Sequence, residues 1–466
     1  MDMNKNFNGT LRFNPSNPRY FTDNTGKAIF LTGSHTWATM QDIWLENRPR
    51  RSMDYDGFLQ MLEDYGHNFL RFWQWPQVRK AAWTEIDTLF DPQPYERTGP
   101  GDARDGLPKF DLAKWNEAYF ARLRQRVEKA GTRGIYVSIM FFDGWGIKQE
   151  SEDQYPWPYY PIHPDNNING ITDNPKLGKR LHQVFHEVYS MNCPQLLYWQ
   201  KEFIKKIIDT VNDLDNVLYE IGNEMPDSPE AFEWMQHMCA FTKEYENSKP
   251  KQHPVGITAP GFYPSNEELI NSNADWVSPM SGRDCIYKYN PPAADGRKVI
   301  ITDTDHLWGH GVEIQWIWKS VTRGMNPIFM DPWEPIPHNK ISIFGTDGGV
   351  DKNQRYFHNY GDARRNLGYA RKMVERMDLN KCVPHDELFT STYCLANPGE
   401  EYLCFLSSGE SGSIDLWDMT GEFLVEWLEP ATGKMYKGEN FIGGKGYFVL
   451  KAPFEGMAVV YIRKNS

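Results

Sequence analysis

Eight short apolar runs, separated by segments of helical periodicity, constrain this chain more than any other feature of its sequence. The runs are KAIFLTG (27–33), NFLRFW (68–73), GIYVSIMFF (134–142), NVLYEIG (216–222), PVGITA (254–259), ADWVSP (274–279), KVIITD (298–303) and NPIFMD (326–331). They are apolar throughout instead of alternating, the pattern of parallel strands covered on both faces. Between them lie segments such as DGFLQMLEDYG (56–66), LAKWNEAYFARLRQRVEKAG (112–131), PQLLYWQKEFIKKIIDTVND (194–213) and SPEAFEWMQHMCAFTKEYE (228–246). Apolar residues in these recur three and four apart, the amphipathic-helix signal. Gly66 and Gly131 stand where a helix would end. The alternation predicts an α/β fold, a (β/α)8 TIM barrel, with short crossovers in the fifth and sixth units. A polar, aromatic insertion over residues 144–193 follows the third run and is expected at the mouth of the barrel.

After a last helical pattern at 361–377 the texture changes to short strands and Gly-rich turns: STYCLAN, EYLCFLSS, GSIDLWD, EFLVEWLEP, GYFVLKAP and MAVVYIRK. That is the signature of a small antiparallel β-sandwich. The expected division is therefore a barrel over residues 1–380 and a sandwich over 381–466. The opening LRFNPSNPRYFTDNTGKAIFLTG reads as a β-hairpin lying across the bottom of the barrel.

A net charge of −12 argues against nucleic acid as a partner, where a basic face is the usual footprint. No apolar stretch approaches the roughly 18 residues needed to cross a bilayer, so no membrane insertion is expected. The opening MDMNKNFNGT has no apolar core of a secretory leader. The chain as written is expected in the cytoplasm, or in the periplasm or outside the cell if a leader has been removed. The six cysteines are scattered, form no CxxC pair and read mostly as small buried apolar side chains. Oligomeric state leaves no mark. Aromatic residues reach 14%, with 17 Trp and 24 Tyr, several near strand ends. Flat aromatic faces flanked by polar groups suit the faces and hydroxyls of sugars, so carbohydrate is the expected partner.

In a parallel barrel, reactive groups gather at the C-terminal ends of the strands. Those ends supply Ser34, His35, Thr36 and Trp37 from the first run, and Arg71, Trp73 and Trp75 from the second. The third offers Asp143, the fourth Asn223 and Glu224, the seventh Asp303, Asp305, His306 and Trp308, and the eighth Asp331 and Trp333. Each has a plain structural role available. Glu224 would favour a helix N-terminus, Asp303 would cap a turn, Asp305 would pair with His306 or Arg71, Asp143 would shape a turn, and the Trp side chains would be core. Their shared rim is what points to chemistry. Glycoside hydrolysis needs two carboxylates across the bond, about 5–5.5 Å apart for retention or about 6.5–9.5 Å for inversion. Glu224 suits the proton donor, with Asn223 bonding a sugar hydroxyl beside it. Asp303 or Asp305 suits the nucleophile, the two pointing to one side if extended. Glu220, in the same run as Asn223, reads as a satisfied core group. His35, Trp37, Arg71, Trp73, Trp75, Asp143, Asn223, His306, Trp308, Asp331 and Trp333 are the candidate substrate-binding residues. His35 and His306 lack HxH or HxxxH spacing and make no metal site by that measure; no metal or organic cofactor is expected.

The stretch LYEIGNEMP resembles the acid/base signature of clan A glycoside hydrolases, retaining (β/α)8 enzymes. NPRYFTDNTGKAIFLTGSHTW resembles the front of the apiosidase-type group, glycoside hydrolase family 140, and its relatives. The tail TSTYCLANPGEEYLCFLSSG…DLWDMTGEFLVEWLEPATGKMY is similar to a small β-sandwich that carries a collagen-binding label in those proteins, although nothing in its composition suggests collagen. The resemblance implies Glu224 as acid/base and Asn223 as its substrate-binding neighbour. It departs at strand seven, where the clan has a glutamate and this chain reads ITDTDH. The expected function is a two-carboxylate glycoside hydrolase acting on a plant or microbial oligo- or polysaccharide; the clan implies retention, and the aspartates of strand seven leave inversion open. Two rivals are a carbohydrate-binding barrel without catalysis and a hydrolase using Asp305 and His306 with a metal.

Overall fold

A computed structural model describes residues 7–81, 86–148, 155–178, 181–280, 285–309, 311–333, 360–408, 411–444 and 446–465. Eight parallel strands close into a barrel. They are β1 Gly33–His35, β2 Phe69–Phe72, β3 Tyr136–Asp143, β4 Val217–Asn223, β5 Val255–Thr258, β6 Trp276–Ser278, β7 Val299–Asp303 and β8 Asn326–Met330. All eight apolar runs are thus barrel strands, and the order runs without interruption from β1 to β8 and back. The first run is shared: Ala28–Ile29 joins a different sheet, and β1 begins only at Gly33.

Helices cover the outside. They include α1 Tyr55–Asp64, α2 Glu117–Thr132, α3 Pro194–Val211, α4 Pro229–Glu246, α5 Ile314–Thr322 and α6 Tyr360–Val374. Among the described residues, the helices after β5 and β6 are short, Asn266–Ile270 and Ile286–Tyr289, in keeping with the short crossovers expected there. Caps explain the boundaries: Asp54, Asn116 and Ser228 each accept a hydrogen bond from a first-turn N–H. The helix expected from residue 112 starts later, because residues 112–115 complete the strand Pro108–Trp115, which pairs with Tyr95–Asp102. Gly131 lies inside α2 against the Asn216 side chain, and Gly134, at φ +71°, takes the left-handed position after the helix. Gly66 does the same after α1, at φ +74°.

The bottom of the barrel is closed by a three-stranded antiparallel sheet, Arg12–Phe13, Phe21–Thr22 and Ala28–Ile29, one strand more than a hairpin. Phe7, Leu11, Phe21 and Leu31 form one buried cluster with Phe69, Tyr136, Leu218, Trp276 and Val299 at the N-terminal ends of the strands. On the upper side, two antiparallel pairs lie outside the alternation: Asp42–Leu45 with Thr88–Asp91, and the pair completed by Pro108–Trp115. The insertion after β3 carries short helices at Trp145–Lys148, Trp157–Tyr159, Pro175–Gly178 and Leu181–Val188; residues 149–154 and 179–180 of it lie outside the described residues.

The C-terminal region is a seven-stranded antiparallel sheet facing the two-stranded pair Ser411–Asp415 and Tyr447–Lys451. All six strands expected there are present. Three short ones, Val383–Pro384, Met435–Lys437 and Phe441–Ile442, add to them. Ile414 and Leu450 of the pair share a core with Cys404, Phe423 and Val460 of the larger sheet. Five of the six cysteines are buried. Among the described residues no helix is long and apolar enough to cross a membrane.

Candidate active site

Arg71 of β2 organises the upper end of the barrel. A long cation inside an apolar strand must find acceptors when buried, and this one is sealed. Its Nε and Nη2 donate to the two carboxylate oxygens of Glu220 on β4 at 2.7 and 2.5 Å. Nη2 also donates to Asn223 Oδ1 at 2.8 Å, and Nη1 to Asp305 Oδ2 at 2.9 Å, with Asp303 Oδ2 at 3.4 Å. Burial opposes the charge, but Glu220, Asp303 and Asp305 outweigh it and raise the guanidinium pKa above its ordinary value. Glu220, which also accepts from the Thr258 hydroxyl at 2.9 Å, is the satisfied interior group its position predicts.

On β7, Asp303 is 1% exposed and fully engaged. Its Oδ1 lies 2.9 Å from His35 Nε2 and accepts from the Asp305 N–H at 2.9 Å, capping the turn Thr304–Leu307. The Trp73 indole N–H points at His35 Nδ1, 3.0 Å away. An indole nitrogen only donates, so Nδ1 of His35 accepts and Nε2 carries the proton given to Asp303. Burial works against ionising Asp303, yet His35 and Arg71 pull its pKa below the carboxylate range. Asp305 is partly exposed, held by Arg71 and lying 3.5 Å from His306 Nε2. His306 Nε2 meets Asn223 Oδ1 at 3.0 Å, and burial lowers its pKa. The rims of β4 and β7 therefore touch.

Glu224 follows Asn223 and is half-buried, with φ +44°. A non-glycine residue in the left-handed region is uncommon and strained, and such positions cluster at functional sites. Gly144 permits the turn: a Cβ there would lie 2.5 Å from Glu224 O and 2.8 Å from Met225 Cα. Asn223 Nδ2 donates to Asp143 Oδ1 at 3.0 Å, and the Gly146 N–H donates to Asp143 Oδ2 at 3.0 Å. Burial pushes the Asp143 pKa up to about 6 against these two donors. Asp143 thus shapes the turn and orients Asn223 from behind.

The structure brings Arg71, Asp143, Asn223, Asp303, Asp305, His306, His35 and Trp73 into one hydrogen-bonded network, with Glu224 adjoining it. Others stand apart. Asp331 is sealed and clamped by Arg364 of α6 through two bonds at 2.7 and 2.5 Å. Trp333 packs on Phe58 of α1, ring centres 5.5 Å apart. Trp73 and Trp75 are each 2% exposed, and the Trp75 indole N–H donates to the buried Trp37 carbonyl at 2.7 Å, so these rings are core at the base of the mouth. Trp308 is half-buried beside the exposed Tyr289. On the loop after β5, Phe262 is 64% exposed, and Asp227 accepts its backbone N–H and that of Tyr263 at 3.0 and 2.5 Å.

Asp303, Asp305 and His306 offer ligand atoms within 4.8 Å of one another, a geometry that could hold a metal ion. The Arg71 cation lies among the same carboxylates and opposes a second positive charge there. The residues present fit an ion poorly.

A family model described as a domain of unknown function, DUF6298, matches residues 71–260, which span β2 to just past β5. No curated protein matches the chain. A solved structure described as a glycoside hydrolase is similar over 98% of this chain and 97% of its own, at a TM-score of 0.63 and 11% identity. A glycoside hydrolase family 5 protein from Bacteroides vulgatus ATCC 8482 is similar over 98% and 94%, also at a TM-score of 0.63, with 13% identity. The likeness is one of fold. It covers the barrel and the C-terminal sheets together.

Proposed function

We propose that the chain is a glycoside hydrolase in which Glu224 is the acid/base and Asp305 the nucleophile. The observation that carries this reading is Arg71, whose single guanidinium bonds both Asp305 beyond β7 and Asn223 beside Glu224 on β4. Arg71 thereby ties the strand end that carries Glu224 to the turn that carries Asp305, in support of a pair of carboxylates acting across one glycosidic bond. Glu224 protonates the leaving oxygen while Asp305 attacks the anomeric carbon; water, deprotonated by Glu224, then releases the sugar with retention. Arg71 supplies a fixed positive charge beside the attacking carboxylate. Asp303 is set aside as nucleophile because His35 and the Asp305 N–H already occupy it. The fold likeness to glycoside hydrolases and the LYEIGNEMP motif support the reaction class. The apiosidase-type assignment, with a plant or microbial oligo- or polysaccharide as substrate, rests on the resemblance of the N-terminal and C-terminal stretches. Glu224→Gln is expected to lower kcat on an activated or natural glycoside by about 10²–10⁴-fold. A wild-type rate in this variant removes Glu224 as the acid. Proton NMR of the first-formed anomer separates retention from inversion.

The pairing of both aspartates with buried cations or imidazole favours one second reading, a barrel that binds carbohydrate without cutting it. Glycan binding by the wild-type chain with no product in a screen of aryl glycosides, furanosides included, would select it.

A further inference from the structure

Away from the barrel mouth, two cysteines of the C-terminal sheet face each other. Cys394 lies on the strand Cys394–Asn397 and Cys404 on the antiparallel strand Glu401–Leu406, in direct register. Their sulfurs are 3.4 Å apart. The adjacent pair is hydrogen-bonded, Phe405 N–H to Tyr393 O at 3.0 Å. Alternation along an antiparallel ladder makes Cys394 and Cys404 a non-hydrogen-bonded pair, with Cα atoms about 4.5 Å apart and side chains at their closest. That spacing falls within the range of about 4.4–6.8 Å that a disulfide spans. Cys382 is buried nearby but turns to Glu401, its sulfur 3.6 Å from Oε1.

We propose that Cys394 and Cys404 form a cross-strand disulfide when the chain folds in an oxidising environment. The thiols are brought together locally, by a hairpin whose turn closes with Glu400 N–H on Asn397 O at 3.0 Å. They meet before the sandwich core need form. A small disulfide such as oxidised glutathione supplies the oxidant. One cysteine thiolate attacks it, giving a mixed disulfide and one glutathione thiol. The second cysteine thiolate attacks the protein-bound sulfur, forming the Cys394–Cys404 bond and expelling the second glutathione thiol. Two electrons pass from the cysteines to the glutathione disulfide, and the two protons end on the glutathione thiols. Once folded, both sulfurs are sealed among Tyr402, Leu406, Phe423 and Val460, and burial pushes the Cys404 thiol well above its ordinary range. A chain that folds reduced therefore stays reduced, and a chain that folds oxidised keeps its bond. The environment of folding is recorded in the sheet.

The test is to produce the full chain in a compartment that oxidises thiols, denature it with an alkylating reagent present, and digest it with trypsin. Cys382, Cys394 and Cys404 share the tryptic peptide that follows Lys381. The expected peptide carries one alkyl group, on Cys382, and lacks two hydrogens, and four of the six cysteines in the chain are alkylated. Prior reduction is expected to make all six reactive. C382S should retain the bond, and C394S should leave Cys404 alkylated. Alkylation of both Cys394 and Cys404 in the oxidised wild-type chain, or a bond that includes Cys382, overturns the proposal.

Discussion

Asp303 and Asp305 lie two residues apart and share Arg71, yet their surroundings divide their roles. Asp305→Asn removes the charge proposed to attack substrate but keeps the shape and the Arg71 contact. Activity is expected to fall at least about 10³-fold, a loss of roughly 4 kcal/mol of transition-state stabilisation, with the melting temperature nearly unchanged. Asp303→Asn instead turns an amide toward donors, leaving a buried group unsatisfied at a cost of about 1–3 kcal/mol. Its expected mark is a lower melting temperature. Equal melting temperatures for the two variants would count against this division. Asp143 adds a pH dependence. Its folded pKa of about 6 lies above the unfolded carboxylate value near 4, so the folded state holds the proton more tightly. The stabilisation is complete below about pH 4 and is lost as pH rises through about 6. Melting curves of wild type and Asp143→Asn across that window should show the wild type losing more stability with rising pH. A parallel pair of profiles would refute the assignment.

At the scale of elements, the loop after β3 and the loop after β4 are built as one piece. Gly144 sits against the backbone of Glu224 and Met225, and neither contact is the far end of a flexible side chain. Gly144→Ala must therefore push Glu224 out of its left-handed turn. Activity is expected to drop at least tenfold without any change in the carboxylates themselves, measured as kcat/KM beside the intact far-ultraviolet circular dichroism. An unchanged kcat/KM would show that the Glu224 turn tolerates the shift. Much of this was legible in the sequence. Eight apolar runs reported the strands because parallel strands are buried on both faces, and Asn-Glu after the fourth run marked the rim. Of the partners of Arg71, Asp305 was legible as an alternative to His306; Glu220, Asn223 and Asp303 were not, since they depend on which residues of β2, β4 and β7 share a level inside the barrel. The antiparallel pair Asp42–Leu45 and Thr88–Asp91 escaped for a related reason: its strands are more than 40 residues apart and neither is strongly periodic. Trp73 and Trp75 looked like sugar platforms because composition cannot tell a ring at the mouth from one just beneath it.

The molecule as a whole is held by a core that does not stop at the end of the barrel. Leu395, Leu403, Phe405, Val459 and Tyr461 of the large C-terminal sheet belong to the same buried cluster as Trp316, Ile317 and Val321 of α5. The opposite face of that sheet builds the sandwich core. Polar contacts cross the same seam: Asn366 of α6 accepts from the Trp318 indole at 2.8 Å and donates to Pro430 O at 3.1 Å. Asn17 reaches the connecting segment through the carbonyls of Leu379 and Cys382, at 2.6 and 2.8 Å. Burying a large apolar side chain is worth about 1.5–3 kcal/mol, so the five sheet residues at the seam represent about 10 kcal/mol. That is comparable to the net stability of a whole domain, about 5–15 kcal/mol. Separate melting of the two parts would expose this surface while one part remained folded. The chain is therefore expected to unfold in a single transition, with far-ultraviolet circular dichroism and tryptophan fluorescence following one curve. A chain ending at residue 380 is expected to be recovered mainly as aggregate, because α5 and α6 would present their apolar seam to water. Two resolved transitions in the full chain, or a soluble monomeric barrel after truncation, would show that the seam contributes far less than its buried side chains imply.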